Sequence, residues 1–310
     1  MIKLDGVTKK YGEFIAVDSV SITINKGELL VILGPSGCGK STTLRLINKM
    51  IPMTDGIITV RDVNINDINS EDLRKSIGYV IQSIGLFPHM SVKKNIATVP
   101  HLLNWDKTKI DKRIDEMLEL VGLTPKVYRE KKPSHLSGGE AQRVGVARAL
   151  ASNPDILLMD EPFGAVDPIN RLRLQTEFRQ IQQSLHKTVI FVTHDVDEAL
   201  LLADRICIMD SGNIIQIGTP EEIVLNPVND FVNQFFRGEG ILNLLSRKKA
   251  KDFIVPSITE SLDPIDEITL KEALSLLLSK GIEKLEFNEG YLTLDHIIYA
   301  IRGDLNDYQE

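Results

Sequence analysis

The chain has 310 residues, of which 43% are hydrophobic and 25% are charged, a composition typical of a globular protein with a sizeable core. Its 43 acidic and 36 basic residues give a formal net charge of −7. This charge argues against nucleic acid as the main partner, because phosphate backbones favour clustered Lys and Arg. Only Cys38 and Cys207 are cysteines, and no signal-peptide or bilayer-spanning pattern is visible. We therefore expect a cytosolic chain without disulfides that reaches a membrane only through a partner.

The first part of the chain predicts an antiparallel β subdomain. Residues Met1 to Val7 and Ser19 to Ile24 alternate apolar and polar side chains, as half-buried strands do. A continuous apolar strand at Leu29 to Leu33 then leads into a glycine-rich loop, and helical periodicity follows from Ser41 to Met50. This succession of strand, loop and helix is the one expected around a bound phosphate.

A helical section follows, and after it the α/β pattern returns. Between Asp106 and Gly122 apolar residues recur at spacings of three and four, and the glycine can end the helix. The later strands Ile156 to Met159 and Val189 to Val192 flank an amphipathic segment from Arg171 to Leu185, as in a crossover between parallel strands. The sequence therefore predicts a parallel sheet with helices packed on it.

The glycine-rich loop fits the P-loop pattern at every fixed position, as Gly34-Pro35-Ser36-Gly37-Cys38-Gly39-Lys40-Ser41. Its glycines let backbone N–H groups turn toward a β-phosphate, and the helix N-terminus adds its positive dipole end. We expect Lys40 to reach the β- and γ-phosphates and the Ser41 hydroxyl to bind Mg²⁺. The predicted nucleotide-binding segment runs from Gly34 to Thr42. At Cys38, a permissive position, we expect a bulky adduct to obstruct phosphate entry.

Two carboxylates, Asp160 and Glu161, end the apolar strand that begins at Ile156. This is the form of a Walker B segment, which fixes Mg²⁺ and presents a base to water. Successive side chains leave a strand on opposite faces, so the two acids should have different roles. We expect Asp160 to hold the metal through its water shell and Glu161 to polarise the attacking water. Alone, such acids usually mark a solvated strand end, but the P-loop upstream favours catalysis.

The segment Leu136-Ser137-Gly138-Gly139-Glu140 resembles the signature motif of the ABC transporter nucleotide-binding domains, with Glu140 where glutamine is more frequent. In that family Ser137, Gly138 and Gly139 would hold the γ-phosphate of ATP bound by a second subunit. The resemblance implies a head-to-tail dimer that encloses two ATP molecules. A simple helix N-cap is the alternative for this motif taken alone.

The resemblance also carries over residues that follow in the expected order. Tyr11 corresponds to the aromatic residue that stacks on adenine, Gln82 to the glutamine that reaches Mg²⁺ or its water, and Asp167 to the aspartate that couples the two sites. His194 corresponds to the histidine that contacts the γ-phosphate. Packing for Tyr11 and an exposed strand end for Gln82 are the alternatives. The implied cofactors are ATP and Mg²⁺, with Lys40, Gln82, Glu161 and His194 as catalytic residues and Ser41, Gln82 and Asp160 at the metal.

The resemblance extends over roughly residues 1–236 and implies an α/β fold. We expect a P-loop, RecA-like ATPase core with an antiparallel β subdomain and a helical subdomain at about 88–155. The predicted domains are residues 1–240, the nucleotide-binding domain, and 241–310, an accessory region. The boundary is indicated by Asn226-Pro227 and by Gly238 and Gly240.

Coupling to a membrane protein is expected between Ser83 and Asn95. Leu86, Phe87 and Pro88 follow Gln82 in a loop that could present apolar groups to a partner. In the family this region receives a short helix of the membrane subunit, and core packing is the alternative. The implied partners are a second copy of the chain, integral membrane permease subunits and, indirectly, an extracellular solute-binding protein. The implied location is the cytoplasmic face of the cell membrane.

Longer strings at 77–82, 85–90 and 160–168 are similar to those of ATPases that serve importers of quaternary amines such as glycine betaine, carnitine and choline. An importer for another small solute, such as an amino acid, a polyamine or an inorganic anion, is an alternative. A soluble ABC ATPase of DNA repair or translation is another, although the chain has one nucleotide-binding unit and an acidic charge. Intact Glu161 and His194 argue against a regulatory module without turnover.

The C-terminal region predicts a small α+β unit. Thr269 to Glu272 forms a capping box that opens a helix closed by Gly281, with Leu270, Leu274, Leu277 and Leu278 on one face. A strand near Lys284 to Phe287, a turn at 288–290 and a second helix from Leu294 to Ile301 follow. The segment at about 262–303 resembles a single CBS motif. Sensing of ionic strength or nucleotide and stabilisation of a dimer are its alternative roles.

Overall fold

The structure is a computed structural model that describes residues 1–82, 85–164, 166–236, 240–256, 268–287 and 290–302. The chain divides into two compact units, one of residues 1–195 with 202–217 and the other of residues 196–201 with 218–310. Among the described residues, no helix is both long and apolar enough to cross a membrane. The predicted boundary at residue 240 stays a prediction.

The first unit contains most of the regular elements. Its strands are β1 (Ile2–Tyr11), β2 (Phe14–Ile24), β3 (Leu29–Leu33), β4 (Asp55–Val60), β5 (Val63–Asn64), β6 (Ile77–Val80), β7 (Ile156–Asp160), β8 (Thr188–Thr193), β9 (Arg205–Asp210) and β10 (Asn213–Gly218). Its helices are α1 (Lys40–Ile47), α2 (Ser70–Ser76), α3 (Val92–Leu102), α4 (Lys107–Leu120), α5 (Pro125–Tyr128), α6 (Gly138–Leu150) and α7 (Pro168–Leu185), with 3₁₀ turns at Ile65–Asp67 and Pro133–His135.

Two sheets form the framework of this unit. A four-stranded sheet has the order β2-β1-β4-β5, and β1 runs antiparallel to both β2 and β4. A six-stranded sheet has the order β10-β9-β3-β8-β7-β6, in which β3 runs parallel to β8 and β9, and β7 runs parallel to β8 and β6. All residues of β3, β7 and β8 are buried, as expected of parallel strands covered on both faces. The predicted antiparallel subdomain and parallel sheet are confirmed.

One hydrophobic core joins the two sheets and α1. Leu4 of β1, Ile32 of β3, Leu44 of α1 and Ile190 of β8 belong to the same cluster and are almost fully buried. Burying a side chain of this size stabilises the fold by roughly 1.5–3 kcal/mol. Helix α1 ends at Ile47 rather than at the predicted Met50, because the backbone turns left-handed at the residue after Asn48.

The predicted helical subdomain is present as α3 to α6. Asp106 caps α4 by accepting a hydrogen bond from the Thr108 N–H, at 2.8 Å, and Gly122 follows the helix with a φ of +69°. The Arg113 guanidinium of α4 donates to the backbone oxygens of Leu150 and Ala151, at 3.1 and 3.0 Å. Helix α4 therefore supports the C-terminal end of α6.

The second unit contains α8 (Val196–Leu202), α9 (Pro220–Leu225), α10 (Asp230–Phe236), α11 (Gly240–Leu245), a 3₁₀ turn (Ala250–Phe253), β11 (Val255–Pro256), α12 (Leu270–Lys280), β12 (Lys284–Phe287), β13 (Gly290–Thr293) and α13 (Leu294–Arg302). Strand β13 runs antiparallel between β11 and β12. Two elements are divided between the units: the last residue of α8, Leu202, belongs to the first unit, and the last residue of β10, Gly218, belongs to the second.

The predicted C-terminal helices and strand are confirmed, including the capping box at Thr269 and the left-handed Gly281 that ends α12. Leu270 and Leu277 are buried, but Leu278 is 68% exposed and does not share their face. It lies one residue beyond Leu277, a step of about 100° around the helix. Ser83, Gly238 and the predicted turn at 288–289 lie outside the described residues, and so do 257–267. The likeness to a CBS motif stays a prediction.

Candidate nucleotide-binding and hydrolysis site

The predicted P-loop joins the carboxyl end of β3 to α1, and close backbone approach requires glycine at two of its positions. A Cβ atom on Gly34 would lie 2.1 Å from the Met209 backbone oxygen, and one on Gly39 would lie 2.4 Å from the Ala16 oxygen. Gly39 is the N-cap of α1 with a φ of 109°, in the left-handed region that favours glycine. The loop therefore packs tightly against β2 and β9, with the N-terminus of α1 at its end.

The Lys40 side chain lies beneath this loop, and only 5% of the residue is exposed. Its Nζ donates to the backbone oxygens of Gly34 and Pro35, at 2.7 and 2.8 Å. Cys38 is also buried, and burial raises the pKa of its thiol although Lys40 acts in the opposite direction. Because the thiol is buried and its reactive thiolate form is disfavoured, we expect the adduct at Cys38 to form slowly.

Ser41 and Asp160 bring two oxygen donors together between α1 and β7. The Ser41 hydroxyl donates to Asp160 Oδ1 at 2.7 Å. Asp160 is 5% exposed, and burial raises the pKa of its carboxyl, against the hydrogen bond from Ser41 and the nearby Arg45 charge. Hard oxygen ligands suit Mg²⁺, and a divalent cation would offset the cost of burying this carboxylate. The residues present therefore fit a magnesium ion.

Three strand ends converge at Glu161. Its Oε2 accepts a hydrogen bond from Gln82 Nε2 at 3.0 Å, and its Oε1 lies 3.2 Å from His194 Nδ1. These residues follow the parallel strands β6, β7 and β8, whose carboxyl ends share one edge of the sheet. Glu161 has a φ of +44°, a left-handed conformation that a non-glycine residue adopts at an energetic cost. The sheet thus assembles three of the predicted catalytic residues.

The predicted signature motif opens α6 with a complete capping box. Ser137 Oγ accepts from the Glu140 N–H at 3.3 Å, and Glu140 Oε2 accepts from the Ser137 N–H at 2.7 Å. The Tyr128 hydroxyl donates to the other oxygen, Oε1, at 2.5 Å. This hydrogen bond and that from Ser137 hold the pKa of Glu140 below its ordinary value, while the pKa of Tyr128 is raised. The N-cap alternative for this motif is therefore correct as local structure.

Asp167 lies beside the signature motif and not beside the P-loop. A cavity of about 600 Å³ is lined by Ser137, Gly138, Gly139 and Asp167, whereas none of the described P-loop residues lines it. Asp167 caps α7, with Oδ1 accepting from the Asn170 N–H at 3.1 Å. The predicted site residues therefore fall into two sets, one around Lys40 and Glu161 and the other around Ser137 and Asp167.

Tyr11 and Thr42 complete the predicted nucleotide contacts. Tyr11 ends β1, is 50% exposed, and has Lys9 Nζ 4.7 Å from its ring centroid. Thr42 is half-buried in the first turn of α1. The exposed ring is accessible to a stacking partner, as the adenine contact requires.

Sequence reasoning missed residues that support the site from a distance in the chain. Tyr128 holds Glu140 from 12 residues away. Arg45 lies close enough to lower the pKa of Asp160 and bonds to Tyr79, whose pKa burial raises to about 12. No motif spacing marks these pairs. The one available signal in the sequence was the acid at position 140. A carboxylate only accepts hydrogen bonds, so it needs more hydrogen-bond donors around it than the amide of a glutamine does.

With this geometry in place, the comparisons with known proteins define the class of the molecule. A family model described as ABC transporter matches residues 17–164. The chain is 46% identical over 289 residues to a glycine betaine/carnitine/choline transport ATP-binding protein of Bacillus subtilis, a match that covers 92% of this chain and 74% of that protein. The chain therefore belongs to the ATP-binding subunits of ABC transporters, which are ATPases.

Two further similarities agree with this class. The chain is 46% identical over 287 residues to a glycine betaine uptake system ATP-binding protein of Escherichia coli, covering 92% of this chain and 93% of that one. A dimeric ATP-binding cassette solved in a post-hydrolysis state with ADP and Pi is 33% identical, with a TM-score of 0.63, and covers 71% of this chain and 98% of its own. The predicted ABC ATPase fold and ATP as its nucleotide are confirmed.

Proposed function

We propose that this chain energises an importer of quaternary-amine compatible solutes, such as glycine betaine, carnitine or choline, as a pair of subunits on the cytoplasmic face of the membrane. The convergence of Gln82 and His194 on Glu161 carries the hydrolytic part of this proposal. The names of two relatives, each 46% identical over 92% of the chain, support the cargo.

Binding of ATP begins at the P-loop. Lys40 Nζ, which bonds two loop carbonyls, turns to the β- and γ-phosphates, while backbone N–H groups at the start of α1 surround the β-phosphate. Ser41 and Asp160 would hold Mg²⁺, and Gln82 would contact the ion or its water. The ion supplies charge neutralisation on the phosphate oxygens. Tyr11 stacks on the adenine.

Glu161 is the proposed general base of hydrolysis. Its carboxylate orients a water and takes the proton as the water oxygen attacks the γ-phosphorus in line. The bond from the γ-phosphorus to the bridging oxygen of ADP breaks, and inorganic phosphate leaves. His194 holds Glu161 Oε1 at 3.2 Å and contacts the γ-phosphate, while Lys40 stabilises the charge that develops there.

We assign the second set of residues to the nucleotide of another subunit. Ser137, Gly138 and Gly139 line one cavity with Asp167, apart from the P-loop of their own chain. In a head-to-tail dimer this set faces the γ-phosphate bound by the second copy, and Asp167 couples the two sites. The dimeric arrangement of a structural relative with ADP and Pi supports this assignment.

The loop after Gln82 is the proposed contact with the permease. Phe87 is 39% exposed, which favours docking over core packing for this ring. The buried Asn95 side chain fixes the loop: its Oδ1 accepts from the Phe87 N–H at 2.8 Å, and its Nδ2 donates to the Phe87, Met90 and Ser91 oxygens at 3.1–3.3 Å. A loop held in this way presents its apolar groups with little entropic cost on binding.

Replacing the proposed base tests the hydrolytic part. We expect Glu161→Gln to lower the hydrolysis rate at least about 100-fold, because a general base contributes on the order of 10²–10⁴. Binding of a fluorescent ATP analogue should be retained, since the P-loop is intact. Glu119→Gln, on the exposed face of α4, is the matched control and should hydrolyse ATP normally. Equal rates for Glu161→Gln and the unchanged chain would refute the assigned base.

A transport assay tests which solute the importer carries. The chain should be expressed with permease and solute-binding subunits in cells that lack their own osmolyte importers. Uptake of radiolabelled glycine betaine is expected, with competition by carnitine or choline and loss in the Glu161→Gln variant. Uptake of an amino acid, a polyamine or an inorganic anion instead would overturn the cargo and leave the ATPase assignment unchanged.

A further inference from the structure

Arg171 lies in the first turn of α7 and bridges two segments that flank the hydrolysis site. Its Nη2 donates to the Val166 backbone oxygen at 3.0 Å, and its Nη1 lies 3.5 Å from Asp195 Oδ2. Val166 directly precedes Asp167, and Asp195 directly follows His194. One guanidinium therefore contacts both the segment that contains Asp167 and the segment that contains His194.

These contacts close a ring around the proposed base. The Glu161 N–H donates to the Val192 oxygen at 2.9 Å, which fixes the beginning of the segment 161–167 to β8. Arg171 fixes its end through Val166, and the same guanidinium reaches Asp195. His194 then returns to Glu161 through the 3.2 Å contact of its Nδ1. The base, Asp167 and His194 are thus tied together by a single cationic side chain.

Helix stability does not explain this position. A cation in the first turn opposes the helix dipole, which favours negative charge at that end. Among the residues that the structure describes, Arg171 Nε is also buried without a hydrogen-bond partner, and leaving a buried donor unpaired is costly. The two acceptors are met by different nitrogens of the planar guanidinium, Nη2 and Nη1, a fixed fork that the compact ammonium of a lysine does not reproduce.

We propose that Arg171 is a positioning residue for hydrolysis, which fixes the segment 161–167 and the segment 193–195 relative to each other. Without this bridge the P-loop still binds ATP. The Glu161 carboxylate and Asp167, however, no longer hold their places relative to His194. The inference rests on the roles proposed for Glu161 and His194.

The test measures the kcat of ATP hydrolysis and the affinity for a fluorescent ATP analogue separately. Arg171→Met, which keeps the length of the apolar stem, is expected to lower kcat about ten- to hundredfold, as small misplacements of catalytic groups do. ATP affinity should stay within about twofold, because the P-loop is unaffected. Arg171→Lys should recover only part of the rate.

A double-variant cycle separates positioning from general destabilisation. Asp195→Asn should also lower kcat, and combining it with Arg171→Met should cost less than the product of the two separate effects, since the residues act through one contact. Arg179→Met is the matched control. Arg179 also lies on α7 and pairs with Asp204 at 2.5 Å, with a similarly buried guanidinium, and its loss should leave kcat within about twofold.

Three outcomes would overturn the proposal. The first is a kcat for Arg171→Met above half that of the unchanged chain. The second is a multiplicative effect in the double variant, and the third is an equal loss in Arg179→Met. If Arg171→Met does not fold, the folded Asp195→Asn variant is compared with Arg179→Met by the same criteria. The role of Glu161 as the base is tested by the hydrolysis rate of Glu161→Gln, so the two hypotheses are judged separately.

Discussion

Two glycine-rich helix N-termini in the first unit are predicted to meet phosphate, yet they are built differently. Helix α1 begins after Gly39, which is left-handed, and no side chain in the described part of the chain caps it. Helix α6 begins after Ser137 with a complete capping box, in which Ser137 and Glu140 bond each other's backbone N–H. The backbone N–H groups at the start of α1 are therefore available to a ligand. At the start of α6, side chains of the same helix end already accept from some of these N–H groups.

Because of this difference, we expect the N-termini of α1 and α6 to have different roles. Uncapped N–H groups and the positive end of the helix dipole make α1 an anion site within a single chain. At α6 the same donors are partly occupied by side chains, so a phosphate gains less there. We infer that α6 binds its phosphate weakly alone and takes it only when a second subunit presents it.

The largest expected effect is at the uncapped end. Gly39→Ala should weaken ATP binding about ten- to hundredfold more than Gly37→Ala does, because the added Cβ would push the loop away from β2, whereas the strain of a left-handed non-glycine residue, on the order of 1–3 kcal/mol, is common to both variants. A Cβ there would also lie 2.4 Å from the Ala16 oxygen. Gly37→Ala is the control, since it is also left-handed but has open space around its Cβ position. Equal affinities of the two variants in a fluorescence titration would contradict this account.

A smaller effect is expected at the capped end. Ser137→Ala removes an N-cap worth about 1 kcal/mol and should lower kcat roughly five- to tenfold, while the ATP affinity of the isolated chain is unchanged. Thr269→Ala removes an equivalent capping box from α12 and should leave hydrolysis unaltered. A loss of ATP affinity in Ser137→Ala would show that α6 contacts the nucleotide of its own chain.

The smallest effect is expected from Tyr128→Phe, which removes the hydrogen bond to Glu140 Oε1 and leaves the bond from Glu140 to Ser137. The loss should be about 1 kcal/mol or less. Because the pKa of Glu140 is held below its ordinary value of 4.5, this stabilisation is present above that pH and disappears as the pH falls through the lowered pKa. Thermal unfolding of both proteins along a series from pH 7 into acid measures the difference. A gap that persists in acid would exclude this origin.

Much of the nucleotide site was accessible from the sequence because its chemistry depends on residues close together in the chain. The P-loop needs glycines at Gly34 and Gly39, where a side chain would strike backbone, and a lysine next to them. Likewise Asp160 ends a fully buried strand and Glu161 follows it. Local constraints of this kind fix the spacing of particular residues along the chain, so they can be recognised in a single sequence.

Other features depended on the assembled sheet. Gln82, Glu161 and His194 meet because β6, β7 and β8 are neighbours and parallel, although 112 positions separate the first from the last. Tyr128 and Arg171 act on groups that no motif links to them, and Leu278 is exposed although its helical spacing suggested burial.

By itself, the sequence determined the class of fold and predicted which residues bind phosphate, since turn geometry and strand burial limit which residues fit. Only the tertiary structure decided that Glu161 lies between Gln82 and His194, that Tyr128 bonds to Glu140, and that Arg171 joins two loops. Such contacts depend on the order and direction of strands, and on backbone carbonyls such as that of Val166, which carry no sequence signal of their own.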